Sequence, residues 1–417
     1  MALGLAIRFY QIERFAGFDF DQEAAAWWIK SFLVDHKISL IGQQISLGGI
    51  FTGPGYYYLL SVFYFLGGMN PLAGNVLQMF FALGSMVLIY RLGGIWALFI
   101  YIFSFRIILV DRGSAPSNPL IFLALLAWEF RQNIPVSFLL SGVSWNFHPT
   151  GMLMLPVSLA EGLGHKFKAS RSSVYLGLAG FILLILPSLL FELRHGFGEV
   201  QRFGEIFTAG AQPGAAYPFI FKMLLLARIN IQNFLAIFGL PGAWQGIIMI
   251  AAVIWLARQH IREYLIWIAV PLLVFSFYPG PVPEYYFLLT FPAIILIYAT
   301  LARRLAGSGV GRALLPIAAA VFFYLNLRSF MVAANPYSLL SKERAVNYVL
   351  ANCQCPQVTY GVMAAPGLNN GFPYLFWLRD PQAQSGAVNS RYTLFLPGDL
   401  SSESGATFGD IKVVKNF

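Results

Sequence analysis

LAGNVLQMFFALGSMVLIYR (72–91) and GIWALFIYIFSFRIILV (94–110) are two apolar runs that meet at the Arg91–Gly94 corner. An α-helix needs about 20 such residues, fewer where it is buried among others, to cross the hydrocarbon of a bilayer. Further runs of the same kind occupy 173–191, 241–257, 263–278, 284–302 and 313–330. Of the 417 residues, 58% are hydrophobic and only 11% charged, and the mean hydropathy is +0.67. A soluble domain carries roughly 25% charged residues, so this chain has too little polar surface to cover a water-soluble particle. The sequence therefore predicts an all-α polytopic membrane protein. Its 39 Phe, 20 Tyr and 9 Trp suit the membrane–water interface, where aromatic rings collect.

The net charge of +9 is not read as a nucleic-acid footprint. The basic residues fall in short clusters between apolar runs: Arg91, Arg131, Lys166–Lys168–Arg171, Arg258–Arg262 and Arg303–Arg304–Arg312. Clusters of this kind mark the cytoplasmic side, and requiring them to share one side fixes the topology between them. The chain must leave and return between Arg91 and Arg131, which puts Asp111 and Arg112 outside. It must do so again between Arg131 and Lys166, through two short helices broken near Trp145–Pro149, where Pro149 interrupts the helix. Glu192 to about Gly239 is then an outer segment and Pro279–Glu284 an outer turn. Counted this way the chain crosses about eleven times. Residues 1–330 form the transmembrane domain and 331–417 a small extracytoplasmic α/β module, with strand-like stretches at Gln357–Val362 and Tyr392–Leu396. Cys353 and Cys355, one residue apart, make neither a disulfide framework nor a zinc site and read as bystanders.

The first helix, MALGLAIRFYQI (1–12), would be only about 18 Å long. It reads as the outer half of a first span whose beginning precedes this sequence, with the N-terminus cytoplasmic and the C-terminus extracytoplasmic. Between it and the next span lies a long first outer loop, 13–71. Inside that loop GPGYYYLLSVFYFLGG (53–68) is apolar enough to enter the membrane, yet the parity of the spans forbids a crossing. It is expected to lie along the outer leaflet as an amphipathic or re-entrant helix. Long loops with structure of their own are usually functional.

Soluble-enzyme motifs are absent: the chain has no GxxxxGK[ST] phosphate loop, no HExxH and no GxSxG. His36, His148, His165, His195 and His260 lack metal-ligand spacing. What stands out is Asp19–Phe20–Asp21–Gln22–Glu23, three carboxylates in five residues directly after the first helix. One reading is a solvated helix N-terminus, where acids favour the macrodipole. The other is a catalytic carboxylate at the membrane surface, able to take a proton or hold a divalent cation. On the same outer side lie Asp111 and Arg112, His148, Glu192 with Arg194 and His195, and Glu284 with Tyr285 and Tyr286. Polar groups at membrane depth are expensive and tend to line a cavity. A one-sided set of carboxylates, Arg and His suits a lipid-linked phospho-sugar, with Arg clamping the phosphate and a carboxylate activating the acceptor hydroxyl.

The order of these features carries a resemblance. A short apolar helix, Arg8–Phe9–Tyr10, an acidic motif, a P-x-Y-Y stretch at Pro54–Tyr57 and the G-x-N-P-L-A segment at Gly68–Ala73 resemble the GT-C glycosyltransferases. The likeness is to the dolichyl-phosphate-mannose protein mannosyltransferase superfamily and its bacterial aminoarabinose transferase relatives. It spans residues 1–330 and is strongest over 8–95. It implies a catalytic base in the first outer loop. Asp21 takes that place, with Gln22 where the family usually has Glu and with Asp19 and Glu23 available as the second carboxylate. Gly53–Tyr57 is similar to the family's Lys-Pro-Pro-Leu-Tyr-Tyr stretch, with Thr52 in place of the basic residue and Gly55 in place of a proline. In the second outer loop Asn118 is the nearest match to a family acid, and Asp111, which can be charged, is preferred.

The resemblance thus implies inverting sugar transfer from a polyprenyl-phosphate donor to an acceptor outside the cytoplasm of a cell inner (plasma) membrane. Asp21, Asp19 and Asp111 are the expected catalytic residues. Glu23, Arg112, His148, Arg194, His195, Glu284, Tyr285 and Tyr56 are the expected substrate contacts. No cofactor is required by these residues, though a divalent cation would be compatible with them. Partners are the donor lipid, membrane lipids and an acceptor, and no nucleic acid. The rival reading is a secondary transporter carrying ions on membrane carboxylates. Such proteins place these groups near the bilayer midplane and often show internal repeats, whereas here they gather at one face.

Overall fold

The computed structural model describes residues 1–45, 48–164, 170–208, 218–240, 261–278, 280–386 and 390–416. The two runs that meet near Gly94 form two helical arms of α5 (Leu72–Phe103), separated by Gly94, whose φ 67° and ψ −161° are not helical. Only glycine adopts that backbone region without strain, and the chain reverses there. Asn75, near the start of α5, donates its side-chain amide to the Arg112 carbonyl at the end of α6 (Phe105–Arg112). The two ends of the hairpin are therefore level. At the opposite end Arg91 pairs with Glu129 at 2.6 Å and Arg131 with Glu263 at 3.5 Å. Basic positions 91 and 131 thus share one end of the bundle. Lys166, Lys168, Arg258 and the apolar run at 241–257 lie outside the described residues.

Before α5 come α1 (Ala2–Phe9), the short α2 (Ile12–Phe15), α3 (Phe20–Leu33) and α4 (Gly55–Leu66). Gly4 lets α1 sit against α5: a Cβ there would stand 2.9 Å from Met86. α4 buries Tyr56, Tyr57, Leu60 and Tyr64 and leaves Val62, Phe65 and Leu66 exposed. It has the two unlike faces expected of the 53–68 segment. After α6 the chain forms α7 (Leu120–Glu129), α8 (Ile134–Trp145) and α9 (Met154–Gly164). A tight helical turn at Pro149–Leu153 follows the break at Trp145–Pro149.

Five helical stretches among the described residues are long and apolar enough to cross a membrane: Leu72–Phe103, Arg171–Arg194 (α10), Phe219–Phe238 (α12), Glu284–Gly307 and Gly309–Val332 (α15). The fourth joins a tight turn, Glu284–Thr290, to α14 (Phe291–Gly307). Between them run α11 (Gly198–Thr208) and α13 (Ile261–Phe277). α12 lies within the segment expected outside, Glu192 to Gly239, and is itself long and apolar enough to cross a membrane. Its Lys222, Arg228, Asn230 and Asn233 dilute the hydropathy, yet Lys222, Asn230 and Asn233 are buried. The Tyr298 hydroxyl of α14 donates to the Phe234 carbonyl at 2.8 Å, which draws α12 into the bundle.

The C-terminal residues build a mixed sheet on two helices, α16 (Leu339–Asn352) and α17 (Phe372–Arg379). Strands β1 (Thr359–Ala364), β2 (Gln384–Ser385), β3 (Tyr392–Leu396), β4 (Ala406–Phe408) and β5 (Ile411–Lys415) are ordered β2-β1-β3-β5-β4. The β1–β2 and β1–β3 pairs are parallel; β3–β5 and β4–β5 are antiparallel. Tyr392, Leu394 and Leu396 alternate onto the core face, as period-2 patterning requires. The Tyr360 ring stacks on Phe376 of α17 at 3.7 Å. Cys353 and Cys355, read from the sequence as bystanders, are joined in a disulfide.

Candidate functional site

The acidic motif opens α3, and helical geometry divides its members. Residues at i and i+4 share a helix face, whereas i and i+2 point roughly 200° apart. Asp19 is the N-cap, with its backbone N–H donating to Gln22 Oε1 at 3.1 Å in a capping box. Gln serves that box as well as Glu, which accounts for Gln22. Asp19 and Glu23 face the C-terminal layer. Asp19 pairs with Lys342 Nζ at 2.8 Å, and the Glu23 carboxylate accepts from the Gly371 N–H at 2.6 Å and the Tyr374 N–H at 3.0 Å. Asp21 faces the other way, into a cavity.

Asp21 is held there by the first loop. Gln43 Nε2 donates to Asp21 Oδ1 at 3.0 Å, and Gln43 Oε1 accepts from the Tyr57 hydroxyl at 3.3 Å. The loop is keyed in turn to the α8 corner. Gly55 N donates to Asn146 Oδ1 at 2.9 Å and Tyr56 N to the Asn146 carbonyl at 3.3 Å. A Cβ on Gly53 would collide with Asn146 Oδ1, and one on Gly55 would stand 2.9 Å from it. Glycines stand here because the backbone passes directly over a side chain. Asn146 is itself fixed by donating to the Gly142 and Leu184 carbonyls.

The cavity is about 990 Å³. It is walled mostly by apolar and aromatic side chains, among them Phe20, Tyr57, Trp145, Tyr278, Tyr285 and Tyr286, with Asp21, Gln43 and His148 among its polar points. Among the described lining residues Asp21 alone carries a carboxylate, and none is Lys or Arg. Burial pushes the Asp21 carboxyl above its ordinary value of 3.8; the Gln43 hydrogen bond works against that shift and the Asp19 charge adds to it. Burial pushes the His148 ring down to about 4, so it is neutral at pH 7. His148 Nδ1 lies 2.9 Å from the Thr150 hydroxyl and 3.4 Å from Thr150 N, which ties the ring to the start of the Pro149–Leu153 turn. The Tyr285 and Tyr286 rings meet His148 edge-on at 5.8 and 5.3 Å.

Of the residues expected from the sequence, Asp21, His148 and Tyr285 line this cavity together. Tyr56 is buried beside it, its hydroxyl donating to the Ser114 carbonyl at 3.2 Å. Asp111 forms a separate buried ion pair with Arg8 at 2.6 Å and accepts from the Tyr101 hydroxyl at 3.1 Å. Arg112 caps α1 by donating to the Ile7, Arg8 and Tyr10 carbonyls, its guanidinium stacked over Phe15 and Phe330. Arg194 and His195 are exposed at the end of α10, where the His195 ring stacks on Phe191 at 4.0 Å. Glu284 pairs with Arg106 at 2.8 Å. Glu192 accepts from Glu199 N and Val200 N at the start of α11, and Glu199 accepts from Phe51 N at 3.2 Å. Among the described residues no three His, Cys, Asp or Glu side chains converge on a metal position.

Gln43 and Asn146 are the positioning residues that sequence reasoning missed. Neither has a titratable signature. Asn146 sits inside the break that the sequence located, and Tyr57 inside the quoted Gly53–Tyr57 stretch. Gln43 falls in a polar loop with no pattern to mark it.

No family model and no curated protein sequence matches the chain. Among solved structures, ArnT from Cupriavidus metallidurans shares its fold, both bound to undecaprenyl phosphate and in the apo state. Each comparison gives a TM-score of 0.63 at 12% sequence identity, covering 99% of this chain and 96% of the other. The chain thus has the ArnT fold along nearly its whole length, including the C-terminal layer.

Proposed function

We propose that this membrane protein is a glycosyltransferase of the GT-C type, which moves a sugar from a polyprenyl-phosphate donor to an acceptor hydroxyl, with inversion. One observation carries the reading. Asp21 is the single carboxylate among the described residues of a largely apolar cavity, in a fold shared end to end with a protein crystallised on undecaprenyl phosphate. Asp21 takes the proton of the acceptor hydroxyl. The freed oxygen attacks the anomeric carbon from the face opposite the phosphate. The bond from that carbon to the phosphate oxygen breaks, and the polyprenyl phosphate leaves with the electron pair. A carboxyl raised above its ordinary value is a stronger base than an ordinary Asp once ionised, and general-base help of this kind is worth about 10²–10⁴-fold.

His148 and Tyr285 are the proposed sugar contacts. Arg194 and His195, exposed at the end of α10, are the proposed contacts for the lipid phosphate. Tyr56, Asp111, Arg112 and Glu284 are assigned to the frame, through the bonds already described. Placing the end that holds Arg91 and Arg131 in the cytoplasm puts the cavity and the C-terminal layer outside it. A cell inner membrane is the proposed location.

The test is transfer in nanodiscs from radiolabelled undecaprenyl-phosphate sugars to a membrane extract, comparing wild type with Asp21→Asn. The expected loss is about 10²–10⁴-fold with retention of undecaprenyl phosphate unchanged. Equal transfer by both proteins would remove Asp21 from the mechanism. Absence of transfer by wild type, with ion-driven uptake in sealed vesicles, would favour a transporter.

A further inference from the structure

We propose that the C-terminal layer sets the position of Asp21, with Lys342 as the positioning residue; the inference rests on the function proposed above and deepens it. Lys342 is 0% exposed. Its ammonium donates to the Phe18 carbonyl at 2.9 Å, Asp19 Oδ1 at 2.8 Å and the Asn370 carbonyl at 2.8 Å. An ammonium has three protons, so every donor is used, and the acceptors come from two segments distant in sequence. Apolar packing would hold two layers together at lower cost than a buried cation. What the cation adds is fixed geometry at one point, immediately before α3.

A second fixed point follows four residues later, where Glu23 takes the Gly371 and Tyr374 amides. The two anchors lie on one helix face, two residues before and two after Asp21. Two points on one face fix both the translation of α3 and its rotation about its axis. Gly371 is fitted to this junction: it has φ +95°, and a Cβ there would collide with the Phe18 carbonyl. Around it, Leu339 N donates to the Ala16 carbonyl at 2.8 Å, and Phe18 and Trp27 pack edge-on against Tyr374. Asp21 sits at the outer radius of α3, roughly 5–6 Å from the axis. A rotation of about 10° would move it by about 1 Å, and a 1 Å misplacement can cost about 10²-fold in rate.

The experiment uses the full chain in nanodiscs and compares wild type, Lys342→Met and Asp19→Asn. Asn is as good an N-cap as Asp, so the second variant loses the ion pair while keeping the cap. Two readouts need no donor: hydrogen exchange of the amides at 20–24, and carbodiimide labelling of Asp21 followed by peptide mass spectrometry. The third is turnover with an undecaprenyl-phosphate sugar. In Lys342→Met the exchange at 20–24 should rise at least tenfold while α5 and α14 stay protected. The Asp21 labelling rate should change, and kcat should fall about 10²-fold with KM for the donor within about threefold. Asp19→Asn should move every reading the same way by less, and it decides the matter if Lys342→Met does not fold. Wild-type exchange and labelling in both variants would overturn the proposal, as would a fall in stability with kcat retained. A wild type that transfers no sugar would sink the proposed function alone, since exchange and labelling still decide whether the layer clamps α3.

Discussion

Replacing Asp111 with Asn would leave the Arg8 guanidinium buried beside a neutral amide. The pair is 2.6 Å apart, with side chains 0% and 1% exposed. Removing one partner of such a pair typically costs about 3–5 kcal/mol. Arg8 would keep its bonds to the Gly4 and Tyr101 carbonyls at 3.0 Å each, and the introduced amide would keep an acceptor for the Tyr101 hydroxyl. The lower end of the range, about 3 kcal/mol, is therefore expected, or about 10²-fold in the folding equilibrium. Arg8→Met should cost at least as much, because it leaves the carboxylate dry and unpaired. The double variant Arg8→Met, Asp111→Leu removes both charges and should return to within about 1 kcal/mol of wild type. Unfolding by SDS titration of the four proteins in mixed micelles gives the cycle, and the coupling should exceed about 2 kcal/mol. Additive single and double variants would refute the reasoning. Sugar transfer by the folded double variant separates frame from chemistry: retained turnover places Asp111 in the frame, whereas loss at full stability would return it to the reaction.

Three further outcomes follow from the site. The acid limb of kcat/KM should lie above the ordinary carboxylate range, because burial raises Asp21; Gln43→Leu removes the bond that lowers it and should push the limb higher, read from a pH–rate profile. Because the Asp21 carboxyl titrates higher in the folded state than its ordinary 3.8, its ionised form costs stability at neutral pH, by a small amount since the residue is exposed and solvent screens it. Asp21→Asn should therefore raise the unfolding midpoint at pH 7, and that gain should vanish as the pH falls through the folded-state value to below about 3.8. Gly53→Ala drives a methyl into Asn146 and should cost about 1–3 kcal/mol, with faster proteolysis of the first loop; adding Asn146→Ala should recover part of it.

The hairpin of α5 and α6 was legible because Gly93–Gly94 and Arg91 mark its corner within unbroken apolar runs. The α8 break was legible from Pro149. α12 was not, since Lys222, Asn230 and Asn233 dilute its hydropathy although all three are buried, Lys222 donating to the Tyr278 and Gly280 carbonyls. In the acidic motif the sequence located Asp21 but grouped it with Asp19 and Glu23, although an i, i+4 pair with an odd member between already implies two faces. What no pattern announced was the destination of the other face. Contacts from Asp19 and Glu23 reach residues more than 320 positions away, and long-range pairing leaves no local signature. Asp111 and Arg112, expected on the outer side as site residues, stand level with Asn75, where Arg8 and the end of α1 engage them in the frame.

The junction of α3 with Gly371 and Tyr374 also has an order in time. Glu23 and Tyr374 are 351 positions apart, and a ribosome adding about 5–20 residues per second takes roughly 20–70 s to bridge that interval. During that time the first loop, α3 and most of the bundle exist without their anchor. The segment around Gly371 and Tyr374, made after the bundle, completes the seat of the first acidic turn, so a chain cut before Gly371 would carry Asp21 on a helix without its second anchor.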